Sequence, residues 1–578
     1  MTVSMTVGAE ALPTPPVPEA FKVSVREALG PALWLCVGFS LLTNLLMLVS
    51  PIYMLQIYDR VLVSGSSDTL IWLSIIAVFL LLIYAAAESG RRRVMTAGGA
   101  RLEQVLTGFA FERFRRVGDA QVSSNLNAIS RVNQLFSGQS LLPLFDLPFA
   151  PLFLALLFFM HPVLGAIGLA GAAAMMGLAI IAEITTRKKL EAAQPQQVAA
   201  RGIAAAMDRD RNALVALGMG EAVSEYQRAK TESGRLASRD AANNEGSYSG
   251  FIKSSRQSLQ VIVLGIGAAL ALGQEISPGM VIAGSIILSR VLAPIDQIAS
   301  GWRHLTMGRS SWKELTRNLG AFAEGSDATP LPVPEARIEL DHLEIAQPAS
   351  EEVLLRPFSL RIEKGTIVTL VGPVGSGKTT LLHTLGGIQR PKSGSVMLGG
   401  ANVHDWPSGD RGRHVGYVPQ RVDLLPGTLK QNVARFLDVD DKEIYSALQM
   451  AGATELVMAM PKGLDTEISL YHTPVSAGQA QLIGLARALL TDPKVLFLDE
   501  PTANLDPQTA RHFTAALREF AREGRIVIAA THDLRLVQAC DSVLILQNGH
   551  VDRKSPKDFL EDQRAAHIRL AATQEGTT

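Results

Sequence analysis

The chain has 578 residues, with 54 Lys+Arg balanced by 54 Asp+Glu, and this balance excludes the basic excess of a nucleic-acid binder. Only 19% of residues are charged and 47% are hydrophobic, and the mean hydropathy of +0.20 excludes a disordered chain and points to a membrane-embedded portion. The length calls for more than one domain, and two cysteines, Cys36 and Cys540, exclude a disulfide scaffold.

Residues 1–30 are polar, carry Pro13, Pro15, Pro16 and Pro18, and read as a flexible tail. The apolar run from Pro31 to Pro51 has about the 20 residues that cross a hydrocarbon core. It lacks a small-residue cleavage site, so it reads as an uncleaved span. Further runs at 70–88, 143–160, 163–183, 258–274 and 279–298 make six expected spans in three hairpins. The short connections near 161–163 and 274–278 carry no Lys or Arg, and the first carries only Arg60. In contrast, 91–131 holds Arg91, Arg92, Arg93, Arg101, Arg113, Arg115, Arg116 and Arg131, and 187–256 opens with Arg187, Lys188 and Lys189. The positive-inside rule therefore puts both long connections, the N-terminus and everything after residue 300 in the cytosol. Apolar spacing at Leu102, Val105, Leu106, Phe109, Phe111 and Phe114 predicts that the long connections are helices continuing the spans. Asp146, Glu183, Arg290 and Asp296 lie toward cytosolic ends of spans, where snorkelling or a water-filled vestibule accommodates them. Met175, Met176 and the spaced Gly165, Gly168 and Gly171 read as helix-packing residues.

The stretch 321–335 is Pro- and Ala-rich without an apolar period and reads as a linker. Beyond it, apolar runs at 367–372, 415–419, 495–500, 526–532 and 542–547 alternate with helical patterns, as buried parallel strands of an α/β domain do. The expected layout is thus a helical six-span membrane domain at 31–320, an α/β P-loop domain at 336–565, and a tail at 566–578.

The run at 367–372 feeds into Gly372-Pro373-Val374-Gly375-Ser376-Gly377-Lys378-Thr379-Thr380 and then an apolar helix, matching G-x-x-x-x-G-K-[ST] in a strand–loop–helix context. Successive N–H groups of such a loop point at phosphate oxygens, Lys378 reaches the β- and γ-phosphates, and Thr379 offers its hydroxyl to Mg²⁺. The helix N-terminus adds partial positive charge. Farther on, apolar residues lead into Asp499-Glu500 at a strand end, a layout in which Asp499 holds Mg²⁺ and Glu500 polarises the attacking water.

With these elements in place, the C-terminal part of the chain resembles the ATP-binding cassette ATPases. Pro419-Gln420 looks like the Q-loop, Val475-Ser476-Ala477-Gly478-Gln479 like the LSGGQ signature, Ala503-Asn504-Leu505-Asp506 like the D-loop, and Thr531-His532-Asp533 like the switch histidine. The resemblance implies that Gln420 binds the metal ion and couples to the membrane domain, and that His532 senses the γ-phosphate. It further implies that Ser476, Gly478, Gln479 and Asp506 contribute to nucleotide binding. In the membrane half, Pro51-Ile52-Tyr53-Met54-Leu55-Gln56-Ile57-Tyr58-Asp59-Arg60-Val61, the stretch at 145–153 and the stretch at 289–298 are similar to the protease/lipase-exporter group of type I secretion ATPases. That resemblance implies a bacterial inner-membrane, multi-pass ATPase pairing with a second copy or a paralogous half-transporter. Its implied partners are a periplasmic membrane-fusion adaptor, an outer-membrane channel and a secreted, unfolded polypeptide. An N-terminal peptidase domain of the bacteriocin-exporter kind is not expected.

The pattern departs from the family at three places. Val475 stands for Leu and Ala477 for the first Gly of the signature, where a Cβ is expected to restrict φ and hold backbone away from phosphate. The stretch Ile345-Ala346-Gln347-Pro348 lacks the expected adenine-stacking aromatic, a loss of about 1–3 kcal/mol by analogy with base stacking. These departures leave two other readings open: a partner half-transporter with an impaired signature in a heterodimer, and an exporter of lipids or small molecules.

Overall fold

The computed structural model describes residues 19–117, 122–137, 140–320, 331–347, 350, 352–469 and 474–575. The chain divides into two compact units, Met1–Gly325 and Ser326–Thr578. Most of the expected tail and the linker residues 321–330 lie outside the described residues.

In the first unit, six helical segments are long and apolar enough to span a membrane: Glu19–Ser64, Ser67–Arg115, Leu142–Met160, Pro162–Thr185, Ala242–Leu272 and Pro278–Leu319. The basic connections are helical continuations, as the apolar spacing predicts: single helices run over Ser67–Val117, Pro162–Arg209 and Gly220–Leu272. The first helix, Glu19–Leu46, corrects the expected tail boundary, because it begins before residue 30 and runs through Pro31. Its early start follows from Phe21, which is buried against Phe109 and Trp312 with ring centroids 5.2 and 6.4 Å away. At the other end of the chain, the helix Pro556–Glu575 likewise enters the expected tail. Met175 packs in a membrane-unit core with Phe153, Leu157 and Leu288, in keeping with a packing role.

Each of the three motif stretches in the membrane half supplies one aspartate that bonds across helices. The first stretch forms a helix, Val49–Gln56, that widens into a π turn at Ile57–Val61. Asp59 in that turn accepts the Gly279 backbone N–H at 2.8 Å and the Ser277 hydroxyl, and so caps the helix Pro278–Gly320. In the second stretch, Pro148 and Pro151 break the chain into Leu142–Asp146, a 3-10 turn and Ala150–Met160. Asp146 closes the first piece and is buried. It accepts from Arg91 at 2.5 Å and from Asn44 at 2.9 Å, while Arg91 also pairs with Glu88 at 2.8 Å and bonds Ser40 at 3.0 Å. In the third, buried Asp296 pairs with Arg256 at 3.1 Å. Asp146 and Asp296 are therefore held by fixed partners inside the helix bundle, and Asp146 and Arg290 also line a polar cavity of the kind that the vestibule expectation describes.

In the second unit, a six-stranded sheet has the order β12-β11-β3-β10-β9-β6. Its strands are β3 (Ile367–Val371), β6 (Val415–Val418), β9 (Val495–Asp499), β10 (Ile526–Ala530), β11 (Ser542–Gln547) and β12 (His550–Lys554). The first five are the expected runs and are mutually parallel, and β12 is antiparallel at the edge. Every residue of β9 and β10 is buried, because apolar layers cover both faces of this sheet. On one face, Leu496, Leu498, Val527 and Ala529 meet helices; on the other, Val495, Phe497, Ile526 and Ile528 join a core that includes a second sheet. That second, antiparallel sheet has the order β2-β1-β4-β5, from β1 (Ile338–Ala346), β2 (Val353–Ile362), β4 (Ser393–Leu398) and β5 (Ala401–Asn402). A short pair, β7 (Gly427–Thr428) and β8 (Glu467–Ile468), completes the strands among the described residues.

Removing one partner of a buried ion pair strands the other charge, at a cost of about 3–5 kcal/mol. Asp146→Ala should therefore lower the thermal unfolding midpoint of the purified full-length protein, and Arg91→Met combined with Asp146→Leu should recover most of the loss. A wild-type melting curve for Asp146→Ala would show that the Arg91–Asp146 contact is energetically idle.

Candidate functional site

Four loops leave the C-terminal ends of four adjacent parallel strands, in the sheet order β3, β10, β9, β6. They carry, respectively, the Gly372–Thr380 loop, His532, Asp499-Glu500 and Gln420. Residues distant in sequence therefore line one cavity of ≈ 620 Å³: Val374, Gly375, Ser376, Gly377, Lys378, Thr379, Thr380, Gln420, Asp499, Glu500 and His532. Gln347, Leu354 and Ala503 line it as well. Leu354 was not legible as a site residue, since it sits in β2 of the sheet that the apolar pattern missed. Gly372 and Pro373 border the cavity through their carbonyls, which hold the Lys378 ammonium at 2.8 and 3.1 Å.

The loop curls because Gly377 has φ +96°, a left-handed conformation, and its missing side chain leaves room for Leu354, which a Cβ would approach to 2.9 Å. The helix Lys378–Leu385 starts immediately after it. The Ser376 hydroxyl is buried with no hydrogen-bond partner, an unsatisfied group facing the cradle. The Thr379 hydroxyl donates to Asp499 at 2.8 Å, so two hard oxygen donors already lie side by side. Among the described residues no cluster of three His, Cys, Asp or Glu side chains forms a metal cage. Two hard oxygen donors beside a phosphate cradle fit a hard divalent cation such as Mg²⁺.

Glu500 has φ +46°, a strained conformation for a side-chain-bearing residue, held by its N–H donating to the Ala530 carbonyl at 2.9 Å. This twist sends its carboxylate toward His532, whose backbone N–H donates to it at 3.3 Å and whose Nε2 lies 3.5 Å away. Burial pushes the Glu500 carboxyl above the usual carboxylate range, against the opposing pull of His532 and Lys378. Tyr417, on β6, is pushed up to about 12 by burial and by the charge of Asp499.

The signature-like residues and Asp506 do not line this cavity. Ser476 caps the helix Ala477–Leu489: its hydroxyl accepts the Gln479 N–H at 3.3 Å, and Gln479 Oε1 accepts the Ser476 N–H at 2.8 Å. Asp506 similarly caps Pro507–Arg522 through the N–H groups of Gln508 and Thr509. Ala477 is exposed and is the first residue of its helix, without a positive φ, so its Cβ strains nothing; this corrects the expected restriction on φ. Gly478, in contrast, has no room for a side chain, since a Cβ would sit 2.4 Å from the Asn504 carbonyl oxygen.

Sequence reasoning also missed two half-buried arginines that brace the helix Ala477–Leu489. Arg435 donates to the carbonyls of Arg487, Gly412 and Ala488 at 2.6, 2.6 and 2.9 Å, and burial pushes its guanidinium down to about 10. Arg487 donates to the Asn432 carbonyl and side chain at 2.9 and 2.7 Å. Neither uses a carboxylate, so no charge pattern in the sequence marks them.

The ABC transporter family model matches residues 355–503, from β2 through the Asp499-Glu500 turn. A solved structure titled as a bacterial Atm1-family ABC exporter with ATP bound shares the fold at TM-score 0.78 and 19% identity, covering 95% of this chain and 99% of its own. The class defined by fold and site is thus an ABC transporter with its spans and cassette on one chain. The type I secretion system ATP-binding protein PrsD of Rhizobium meliloti (strain 1021) is 33% identical over 90% of both chains. A toxin RTX-I translocation ATP-binding protein of Actinobacillus pleuropneumoniae is 27% identical over 93% of this chain and 77% of its own. The chain belongs to the type I secretion system ATP-binding proteins. It is an ATPase coupled to transport, multi-pass in the inner membrane with its ATP-binding unit in the cytosol.

The Gly478 contact yields a discriminating pair of variants. Gly478→Ala should destabilise the protein by about 1–3 kcal/mol, because backbone must shift to relieve the overlap. Ala477→Gly, next to it, should cost at most about 1 kcal/mol of helix propensity. Thermal unfolding checks the order, and equal midpoints for the two variants would rule the Asn504 contact out.

Proposed function

We propose that this chain drives an unfolded polypeptide across the inner membrane as a dimer, in line with a periplasmic adaptor and an outer-membrane channel. The observation that carries the reading is the gathering of Lys378, Thr379, Asp499, Glu500 and His532 on one cavity of a chain that also holds six spans. Likeness over 90% or more of the chain to proteins named for type I secretion and toxin translocation supports a polypeptide cargo.

Gly375, Ser376, Gly377 and Thr380 cradle the phosphates through backbone N–H groups and the unsatisfied Ser376 hydroxyl. Lys378 exchanges the Gly372 and Pro373 carbonyls for phosphate oxygens. Thr379 and Asp499 would hold Mg²⁺, assisted by Gln420, and the ion when bound neutralises phosphate charge. Glu500 takes the proton of the attacking water, and His532, hydrogen-bonded to it through its backbone N–H, fixes its orientation. The Ser476–Gln479 cap and Asp506 lie outside their own chain's cavity, so they act on a nucleotide bound by a second copy or a paralogous half-transporter.

Glu500→Gln should keep ATP binding and abolish phosphate release, while Lys378→Ala should lose nucleotide affinity. Cargo trapped on the Glu500→Gln form identifies the transported molecule. Recovery of lipid or a small molecule in place of polypeptide, or wild-type phosphate release from Glu500→Gln, would overturn the reading.

The raised carboxyl of Glu500 sets a pH dependence. The base works only when deprotonated, so the acid limb of ATP turnover should lie above the ordinary carboxylate value of 4.5, with activity falling as pH drops through the raised value. A folded-state value above the unfolded one also means that the charged form disfavours folding at higher pH. Glu500→Gln should therefore gain stability over wild type near neutral pH and lose that advantage below about pH 4.5. Turnover profiles and unfolding midpoints across pH 4–8 check both statements.

A further inference from the structure

We propose that a second cavity, wholly inside the membrane unit, binds the carboxylates of a passing acidic peptide segment, with Arg290 as the counter-charge. The cavity holds ≈ 640 Å³, the size of a small-ligand site and sufficient for a few extended residues. Its lining includes the cationic Arg91, Arg92 and Arg290, the imidazole of His304, and the acidic Glu88 and Asp146.

The acidic pair is already committed. Asp146 bonds Arg91 at 2.5 Å, and Glu88 bonds Arg91 at 2.8 Å and Arg92 at 3.0 Å. Arg290 is half-buried, and among the described residues no carboxylate pairs with it. It lies on the helix Pro278–Gly320, about 18 Å from the start at 1.5 Å per residue, toward the cytosolic end of the apolar run at 279–298. A half-buried guanidinium without a protein anion, lining a polar cavity, is available to an anion that enters it. The surrounding groups suit a peptide: the side-chain amides of Gln134 and Gln297 can each donate to and accept from an extended backbone. A guanidinium fork matches a carboxylate in two parallel hydrogen bonds.

The inference rests on the export reading for the identity of the passing molecule. The test uses the full-length protein in nanodiscs of neutral phosphatidylcholine, titrated calorimetrically with two unlabelled peptides of equal length. One is Gly/Ser-rich with Asp and Glu; the other carries Asn and Gln at the same places. The acidic peptide should bind about 10-fold more tightly, the worth of one added charge-assisted contact. Arg290→Gln should erase that preference, and Arg290→Lys should retain it in part. Equal binding of the two peptides to wild type, or an undiminished preference in Arg290→Gln, overturns the proposal. Glycerol phosphate binding that depends on Arg290, without any peptide preference, assigns the cavity to a lipid headgroup and also overturns it. Because wild type and Arg290→Lys suffice for the comparison, misfolding of Arg290→Gln leaves it decisive. Cargo recovered on Glu500→Gln tests the export reading separately, and indifference to peptide charge leaves that reading standing.

Discussion

The parallel register of β3, β10, β9 and β6 is the constraint on which the nucleotide site depends. Parallel neighbours end at the same edge, so loops separated by more than a hundred residues emerge side by side. The register pairs Ala530 with Asp499 and with Leu370, one residue short of the β3 end. Two consequences are chemical. Thr379 meets Asp499 across strands, and the Glu500 N–H finds the Ala530 carbonyl, which holds Glu500 in its left-handed twist. The strain at Glu500 is thus maintained by the sheet itself, and the sheet is maintained by burial of every side chain on β9 and β10.

The membrane unit is organised by a different principle, since apolar matching cannot align helices whose surroundings are equally apolar. Asp59, Asp146 and Asp296 each join segments remote in sequence; Asp59 sits in a π turn, Asp146 at a proline break, and Asp296 two residues after Pro294 inside a continuous helix. Asp59 takes up the start of another helix, whereas Asp146 and Asp296 take up arginine and asparagine side chains of other helices. The motif stretches are therefore the bundle's fasteners, whatever else they do in transport.

Legibility in the sequence followed burial. The five parallel strands were readable because both faces are covered, which forces uninterrupted Val, Ile and Leu. The strands β1, β2, β4 and β5 were not, because one face is exposed and the β1–β2 register shifts three times, which scrambles the alternation. The phosphate loop and the Asp499-Glu500 turn were readable because their chemistry is local. The partners of Asp59 and Asp146 were invisible, since the groups they bind lie 220 and 102 residues away. Phe21 extended the first helix for the same reason: its reward is a pair of rings on other helices. The exposed, unstrained setting of Ala477 and the crowding at Gly478 both depend on the path of the backbone, which residue types alone do not specify.

The uninterrupted helices Ser67–Val117, Pro162–Arg209 and Gly220–Leu272 have 51, 48 and 53 residues, which at 1.5 Å per residue makes rods of about 75 Å. A bilayer core takes up only about 30 Å of that, leaving an arm of some 45 Å on the cytosolic side. Such rods act as levers with unequal arms. A tilt of about 10° about the membrane end sweeps the far tip through roughly 8 Å while the core-crossing part moves far less, so displacement is traded for force. A modest movement at the tips therefore reaches the spans as a small, strong twist.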